Sequence, residues 1–588
     1  MIETEGAELQ PYPDGTWWVR EHGVSARFPL VCRGNTGEVY PNVVSPITGS
    51  LVSDAFSRGQ CRLAVEAGMA TSGQLVGFDG TVSSLAPMFA GYIYSNVSMA
   101  RSAVARMPGM TVDMVDRQMF GLSGAPQHRR GPGDRNVRAA VRGARFVFRL
   151  VLRPDAGRLD RTRQFVDERL AALPSVADAS DAELLTIIRG VETFGDRMMY
   201  ELIHASSGAG VGRSMLERLV AAQGGDELVN RLTAGLGTIE SAEPAVDLWR
   251  LGRDAAASPV VTGLFDDGRD DLVTRLRRAA DDDDSARAFV AAFDRFLVQH
   301  GARGPQEWEL EQPTWGTDPS IALAAIDRLR HAPAERDPEA TARTLAAERA
   351  TLVDATRRAL PRLKRKPFDL ALRAASMYSA HREGTKAAFV RLLDPARLAL
   401  IELARRSGVP HGDLCLLTID EIPTALDDVD ALRETIVERR ARRDYLQARI
   451  PPFWFQGEIP PPPSWELRRD RLRPDATPRE LTGLGVCPGI ATGRARVIVD
   501  PADPRELGPD DILVAPITDP SWTPLFLAAA GVVVDVGAQQ SHAAIVAREL
   551  GIPAVVSVTG ASTTIPDGTM ITVDGSNGRV TIHRFVEG

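Results

Sequence analysis

A single histidine, His542, stands where an apolar run passes through a turn into a short helical pattern. Ser541 is a favourable N-cap for that helix, and Gly551 is a favourable residue just beyond its C-terminus. A histidine in the first helical turn lies beside free backbone N–H groups and the positive end of the helix dipole, which favours an anion. One interpretation is therefore a histidine that transiently carries a phosphoryl group. A surface histidine on an ordinary βαβ unit is the alternative.

Arg382, Glu383 and Lys386 form a second reactive group, within a stretch of helical pattern. Arg382 and Lys386 are at i and i+4, so both cations project from one helix face. Glu383 could orient Lys386 or accept a proton. Two cations on one face could neutralise the oxygens of a phosphoryl group during its transfer. An exposed helix face with ordinary charge spacing is the alternative.

Two glycines, Gly301 and Gly304, interrupt another helical pattern and predict a sharp turn of the backbone. Arg303 and Glu307 lie at this corner. They could bind substrate or form a structural ion pair, and the sequence favours neither interpretation.

Three histidines, His300, His381 and His411, are possible general bases for a hydroxyl group, because imidazole titrates near pH 6.5. The sequence alone does not select among them. His381 is the first choice because it adjoins Arg382.

A stretch rich in methionine could form a wall of an apolar pocket, because methionine adapts to irregular ligands. Ordinary core packing is the favoured interpretation. The residues concerned are Met99, Met107, Met110, Met114, Met119 and Phe120.

The segment around His542 resembles the phosphohistidine swivelling domain of the phosphoenolpyruvate synthase, pyruvate phosphate dikinase and rifampicin phosphotransferase superfamily. The resemblance rests on Ser-His-Ala-Ala-Ile-Val-Ala-Arg-Glu-Leu-Gly-Ile-Pro-Ala-Val at 541–555, with further blocks at 486–497 and 518–525. It implies an α/β domain in which His542 is phosphorylated.

The preceding part of the chain resembles the substrate-binding domain of rifampicin-phosphotransferase-like enzymes. The similar blocks begin with Asn-Thr-Gly-Glu-Val-Tyr-Pro at 35–41 and Ser-Pro-Ile-Thr at 45–48, and continue at 91–96, 300–315 and 416–421. In that family an Arg-Glu-x-x-Lys cluster faces the incoming phosphohistidine. The resemblance therefore assigns this role to Arg382, Glu383 and Lys386.

These observations predict a multidomain protein with a mostly α-helical substrate-binding block, some β structure at its N-terminus, and a C-terminal α/β domain. The expected boundaries are 1–450 for the acceptor-binding block, 451–480 for a Pro-rich swivel linker, and 481–588 for the phosphohistidine swivelling domain. Four consecutive prolines at 460–463 favour an extended spacer. A Pro-rich loop laid over the surface is the alternative.

Local patterns predict particular helices within the large block. Residues 338–360, 368–380 and 431–450 are rich in helix formers. The stretch Ser-Gly-Ala-Gly-Val-Gly at 207–212 superficially suggests a phosphate loop, but it follows a helical pattern and lacks the Lys-Ser/Thr pair of that motif. It is interpreted as a connection between two helices.

Composition excludes several classes of function. The net charge of −8 and the absence of clustered basic residues argue against a nucleic-acid partner. No apolar run approaches the roughly 20 residues that a membrane span needs. Four well-separated cysteines and an acidic N-terminus without a signal-peptide core favour a cytoplasmic protein.

The sequence shows no segment that resembles the ATP-grasp domain or the phosphoenolpyruvate-binding barrel of full-length relatives. The arrangement resembles split aryl phosphotransferases such as phenylphosphate synthase and 4-alkylphenol-phosphorylating systems. This resemblance implies that Mg²⁺ and ATP bind a separate ATP-grasp subunit, with none bound by this chain alone. Phospho-His542 would then phosphorylate a phenol, most specifically a 4-alkylphenol such as p-cresol, giving aryl phosphate, AMP and phosphate. Transfer to an antibiotic or another alcohol, and a non-enzymatic phosphocarrier or regulatory role, are the alternatives.

Overall fold

A computed structural model gives the fold of the chain. The structure describes residues 9–23, 25–69, 85–106, 110–120, 124, 126–128, 137–236, 240, 242–468, 480–499, 507–539 and 541–583. Within these ranges the chain forms a large helical block with short strands near its start, followed by a C-terminal α/β unit. The predicted multidomain fold class is confirmed.

The helices of the first part are α1 (Thr36–Val39), α2 (Pro46–Glu66), α3 (Val97–Ala105), α4 (Val112–Phe120), α5 (Val137–Leu152), α6 (Arg158–Ala171), α7 (Asp181–Val220), α8 (Gly225–Leu232), α9 (Glu243–Ala257), α10 (Pro259–Asp266), α11 (Leu272–Asp282) and α12 (Asp284–His300). They continue with α13 (Pro319–Arg330), α14 (Pro338–Ala359), α15 (Arg362–Ser407), α16 (His411–Cys415), α17 (Ile422–Asp427) and α18 (Arg433–Gln447). The α/β unit contributes α19 (Thr523–Ala528), α20 (His542–Leu550) and α21 (Ala561–Thr564).

The strands of the first part are β1 (Leu30–Cys32), β2 (Met88–Phe89), β3 (Tyr92–Ile93), β4 (Ser95–Asn96) and β5 (Trp454–Gln456). Those of the α/β unit are β6 (Glu480–Thr482), β7 (Leu484–Cys487), β8 (Ile490–Val497), β9 (Asp511–Ala515), β10 (Gly531–Val534), β11 (Ala554–Val556), β12 (Met570–Asp574) and β13 (Arg579–Ile582).

Two long helices, α7 and α15, pack antiparallel and form the spine of the helical block. Gly208 lies against the Tyr378 ring and Gly212 lies against the backbone of Ala375, so the helix axes approach closely there. The glycines belong to the interior of the 40-residue helix α7. The prediction of a helix–helix connection at 207–212 is therefore wrong. Small residues in this stretch reflect close helix packing, which a single sequence does not distinguish from a flexible turn.

This close approach predicts opposite effects for two alanine substitutions within one helical turn. An added Cβ at Gly212 would lie 2.4 Å from the backbone nitrogen of Ala375, whereas one at Gly210 would meet nothing within 4 Å. We expect Gly212→Ala to lower the free energy of unfolding by about 1–3 kcal/mol through overpacking. Gly210→Ala should raise it by up to about 1 kcal/mol through helix propensity. Denaturant unfolding of both variants checks this, and equal effects would contradict the close packing.

The C-terminal unit is built around an eight-stranded sheet in the order β6-β13-β12-β8-β9-β10-β11-β7. The four central strands, β8, β9, β10 and β11, are parallel to one another. On either side of them, β12 pairs antiparallel with β8, and β7 pairs antiparallel with β11. Both β9 and β10 are buried along their whole length, as expected for parallel strands covered on both faces. The helix α20 follows β10, so this sheet places His542 at a strand–turn–helix junction.

Several residues that predict helix ends in the sequence lie at the ends of helices in the structure. Ser541 caps α20 by accepting a hydrogen bond from the Ala544 backbone, and Gly551 ends it in the left-handed conformation. Asp337 caps α14, the predicted helix at 338–360, by accepting a hydrogen bond from the Glu339 backbone. The predicted helix at 368–380 is part of a much longer one, since α15 spans 46 residues and includes Pro367 and Pro395. The predicted helix at 431–450 is observed as α18.

The described part of the Pro-rich segment packs against the helical block. Strand β5 pairs antiparallel with β1 and forms one edge of a three-stranded sheet in the order β4-β1-β5. Trp465 is buried and its ring lies 6.0 Å from that of Tyr92. Residues 469–479 lie outside the described residues. The predicted domain boundaries stay predictions.

Within the described ranges, no helix combines the length and apolar character needed to cross a lipid bilayer. The four cysteines are buried, and none forms a disulfide within the described residues.

Candidate functional site

His542 begins α20 and lies at the contact between the α/β unit and the helical block. Its side chain is buried, with 4% exposure. The backbone N–H of His542 donates a hydrogen bond to Oε2 of Glu38 on α1, at 3.3 Å. Its Nε2 lies 3.5 Å from the hydroxyl of Thr523, at the start of α19. The fold therefore brings the predicted phosphoryl carrier into a site formed by both parts of the chain.

The electrostatic setting keeps the His542 imidazole neutral. Burial lowers the pKa of His542 to about 3, an effect that Glu383 opposes and that Lys386 reinforces. Arg303 and Arg382 lower it further. A neutral imidazole has a free lone pair and can act as a nucleophile.

The predicted cluster on α15 faces this histidine. Arg382 Nε lies 3.6 Å, and Lys386 Nζ 3.3 Å, from Oε1 of Glu383. Glu383 is 2% exposed, and burial alone would raise its pKa, but Lys386 and Arg382 outweigh burial and lower it to about 2. Burial and the neighbouring Arg382 lower the pKa of Lys386. The site therefore gathers two basic side chains around one ionised carboxylate, near the imidazole.

Arg303 and Glu307 form a buried ion pair, with Arg303 Nε donating to Glu307 Oε2 at 2.6 Å. They lie in the turn after α12, as the glycine pattern predicts. Asp519 of the α/β unit accepts a hydrogen bond from the Gln306 backbone at 3.1 Å. The turn that carries Arg303 and Glu307 therefore contacts the α/β unit, and Arg303 is close enough to lower the pKa of His542. Substrate binding by Arg303 and Glu307 stays a prediction.

An apolar cavity of about 300 Å³ lies in the helical block beside α1. Its wall includes Thr36, Val39 and Tyr40 at and around the helix that carries Glu38. The opposite walls are aromatic or contain sulfur, and include Phe28, Phe56, Met69, Met99, Met119, Met199 and Trp308. A largely apolar cavity next to a small number of polar groups is the usual form of a small-molecule site.

The methionine stretch contributes to this cavity only in part. Met99 and Met119 line it, whereas Phe120 is a core residue. Met110 packs against neighbouring core clusters. Met107 lies outside the described residues. The stretch therefore serves both packing and the cavity wall.

The three candidate bases lie elsewhere in the helical block, and none is among the residues described as lining the cavity. His300 Nε2 is 2.9 Å from Asp247 Oδ2, next to the Phe296 ring. His381 packs edge-on against Tyr378, and burial lowers its pKa. His411 lies 3.6 Å from the Cys415 sulfur. Their assignments stay predictions.

Further contacts hold the α/β unit against the helical block. Arg213 on α7 donates to Gln539 Oε1 at 3.0 Å and to Asn230 Oδ1 at 2.9 Å. Arg336 donates to the carbonyl oxygens of Ala528 and Ala529 at the end of α19. The apolar side of α19 shares a core cluster with α9 and α13. These contacts describe the arrangement in which His542 meets the α15 cluster.

Sequence reasoning missed Glu38 as a site residue. The Asn-Thr-Gly-Glu-Val motif indicates that this segment belongs to a substrate-binding domain, but it does not assign a chemical role to Glu38. Within the described part of the chain, no group of three or more His, Cys, Asp or Glu side chains is arranged to hold a metal ion.

Comparisons with known protein families match segments of both the helical block and the α/β unit. The model for the fourth domain of rifampicin phosphotransferase matches residues 202–383, and the model for the mobile domain of PEP-utilising enzymes matches residues 507–578. The first range includes Arg382 and Glu383, and the second includes His542.

Curated relatives extend these matches. The chain is 32% identical over 375 residues to the prodigiosin synthesizing transferase PigC of Serratia marcescens, covering 61% of this chain and 41% of that protein. It is 35% identical over 333 residues to a rifampicin phosphotransferase of a Streptomyces species, covering 54% and 36%. An uncharacterized phosphotransferase of Bacillus subtilis, YvkC, is 28% identical over 354 residues, with 57% and 41% covered. The matches thus span well under half the length of these relatives. Together they place the chain in the PEP-utilising, rifampicin-phosphotransferase-like superfamily.

Proposed function

We propose that the chain is a phosphotransferase that carries a phosphoryl group on His542 and transfers it to a hydroxyl group of a small acceptor. The observation that carries this proposal is the burial of His542 near Arg382 and Lys386. The helix α1, whose Glu38 contacts His542, borders an apolar cavity. The superfamily assignment and the similarity to enzymes named phosphotransferases support it.

The site fits the needs of phosphoryl transfer. The neutral imidazole of His542 is the nucleophile that takes up the phosphoryl group. When the phosphorylated histidine docks, its dianionic group enters the field of Arg382 and Lys386, which stabilise charge on the transferring oxygens. Glu383 holds both cations in place through its ion pairs. Burial excludes bulk water, which otherwise competes with the acceptor.

The acceptor is proposed to be a phenol, most specifically a 4-alkylphenol such as p-cresol, giving the aryl phosphate. The cavity wall is largely aromatic and aliphatic, which suits an aromatic ring. Its volume of about 300 Å³ is at the lower end of the usual range for ligand sites, which favours a compact acceptor. A phenolic hydroxyl, with a pKa of about 10, also ionises more easily than an alcohol.

The phosphoryl donor in this proposal is Mg²⁺-ATP bound to a separate ATP-grasp subunit, with AMP and phosphate as the other products. The α/β unit would dock on that subunit to collect the phosphoryl group and then on the helical block to deliver it. Such movement between two sites is common in enzymes whose turnover depends on domain motion.

A second candidate acceptor is an antibiotic or another alcohol. The 35% identity to a rifampicin phosphotransferase favours it. This alternative shares the histidine and the cationic cluster with the first proposal and differs in what occupies the cavity.

A reconstituted assay tests these proposals. The chain is incubated with Mg²⁺-ATP, with and without an ATP-grasp subunit, and with a panel of phenols, alcohols, sugars and rifamycins. We expect AMP and an aryl phosphate to form when the subunit and a phenol are both present. AMP formation by the chain alone would contradict the separate donor subunit. Turnover of an alcohol or a rifamycin with phenols untouched would contradict the phenol assignment, and phosphorylation of no hydroxyl compound would contradict the transferase proposal.

A further inference from the structure

The Glu38 carboxylate contacts His542 from the helix α1, which borders the apolar cavity. Its Oε2 accepts the backbone N–H of His542 at 3.3 Å. Its helical neighbours Thr36 and Val39 line the cavity, as does Tyr40 just beyond the helix. One short helix therefore presents apolar and hydroxyl groups to the cavity and a carboxylate to the reactive histidine.

The second oxygen of this carboxylate, Oε1, is shielded from solvent and makes no hydrogen bond within the described part of the chain. Leaving a buried acceptor unsatisfied destabilises a protein, and a charged acceptor does so more strongly. An O–H donor that reaches this oxygen would satisfy it. The hydroxyl of a phosphoryl acceptor is such a donor.

We propose that Glu38 accepts the proton of the acceptor hydroxyl as that hydroxyl attacks the phosphoryl group on His542. The inference rests on the proposed function, since it assigns a role within that transfer. It also sets the orientation of the acceptor, whose hydroxyl would point to α1 while its apolar body fills the cavity.

The step balances as follows. A lone pair on the hydroxyl oxygen forms the new P–O bond while its O–H bond breaks, and the proton passes to the Glu38 carboxylate. The P–N bond breaks, and its electron pair returns to the ring nitrogen of His542. The other ring nitrogen carries a proton throughout, so a neutral imidazole leaves. Glu38 ends protonated and returns its proton to solvent when the site opens.

The charges around Glu38 suit this role. Burial raises the pKa of Glu38 to about 7, an effect that Lys386 and Arg382 oppose. The backbone N–H of His542 opposes it as well, whereas Glu383 adds to it. A base is most effective when its pKa is near the working pH. Glu383 is less suitable, because its pKa of about 2 makes it a weak base.

The test uses single-turnover transfer from the full chain. His542 is phosphorylated with phosphoramidate, which needs no nucleotide, and the His542→Ala variant supplies the blank for labelling elsewhere. After removal of the reagent, phenol or 2,4-dinitrophenol is added and aryl phosphate is followed over time. Glu38→Gln is compared with wild type because the amide keeps the size and can still accept the His542 N–H. Glu434→Gln, on the exposed face of α18, is the matched control.

We expect Glu38→Gln to slow transfer to phenol about a hundredfold, while labelling of His542 and the Glu434→Gln variant remain normal. In wild type the rate should rise with pH through about 7, because Glu38 acts when deprotonated, and Glu38→Gln should lose this rise. With 2,4-dinitrophenol, which is fully ionised at neutral pH, the loss should shrink to less than about tenfold. Equal losses with both phenols, or no loss, would overturn the proposal.

The two proposals fail in different ways. If wild-type phospho-His542 reacts with no phenol, alcohol, sugar or rifamycin, the proposed function is wrong. Water is then the remaining hydroxyl acceptor, and the rate of phospho-His542 hydrolysis tests whether Glu38 accepts the proton. Slower hydrolysis in Glu38→Gln would support proton acceptance by Glu38, and equal hydrolysis in both proteins would overturn it.

Discussion

The His542→Ala variant is expected to take up no phosphoryl label and to transfer none to an acceptor. Removal of a covalent nucleophile eliminates the intermediate, so the loss should be on the order of 10⁴-fold or more. The fold should persist, because the helix α20 keeps its Ser541 cap and alanine favours helix. Labelling from radioactive ATP in the presence of an ATP-grasp subunit, combined with circular dichroism, measures both properties.

His583→Ala is the matched control for this experiment. His583 belongs to the same α/β unit, is exposed, and contacts Thr572 on β12, away from the site. Its replacement should leave labelling and transfer unchanged. Persistent labelling of the His542→Ala variant would remove His542 from the mechanism.

Replacing Lys386 with alanine should slow transfer to the acceptor while phospho-His542 still forms. Lys386 lies 3.3 Å from Glu383, next to the docked histidine, where its charge would stabilise the transferring phosphoryl group. Loss of one preorganised electrostatic group costs about 3–4 kcal/mol, or roughly 10²–10³-fold in rate. Single-turnover transfer from labelled protein measures the step directly. Lys386→Arg should recover part of the rate because it keeps the charge.

The control for this variant is on the same helix. Lys364→Ala removes an exposed lysine from the first turns of α15 and should leave transfer unchanged. Normal transfer by the Lys386→Ala variant would show that the cluster only stabilises the helix. Loss of His542 labelling in that variant would instead assign Lys386 to the uptake of the phosphoryl group.

The sequence predicted the parts of the site that depend on local signals. The cap at Ser541 and the terminating Gly551 set the position of His542 on a short helix, and the spacing of Arg382 and Lys386 set their common face. These features are encoded within one or two helical turns. They can therefore be inferred from local spacing without knowledge of tertiary contacts.

The remaining parts depend on contacts between distant segments. Glu38 belongs to a four-residue helix, and its partner His542 is 504 positions away in the chain. No local pattern indicates that such a short helix borders both a cavity and the docked α/β unit. The glycines at 208 and 212 were misinterpreted for a related reason, because their role is set by Tyr378 and Ala375 on another helix.

The depth at which His542 is buried has a consequence for the speed of a catalytic cycle. If the donor is a nucleotide on another protein, as proposed above, a side chain with 4% exposure cannot reach it while it stays in place. Every cycle would then include release of the α/β unit. The apolar contact of α19 with α9 and α13 lengthens the residence time of the docked arrangement. The turnover rate would then be greatest when the α/β unit binds the helical block with intermediate affinity. Substitutions that tighten this interface would stabilise the protein and slow it at the same time.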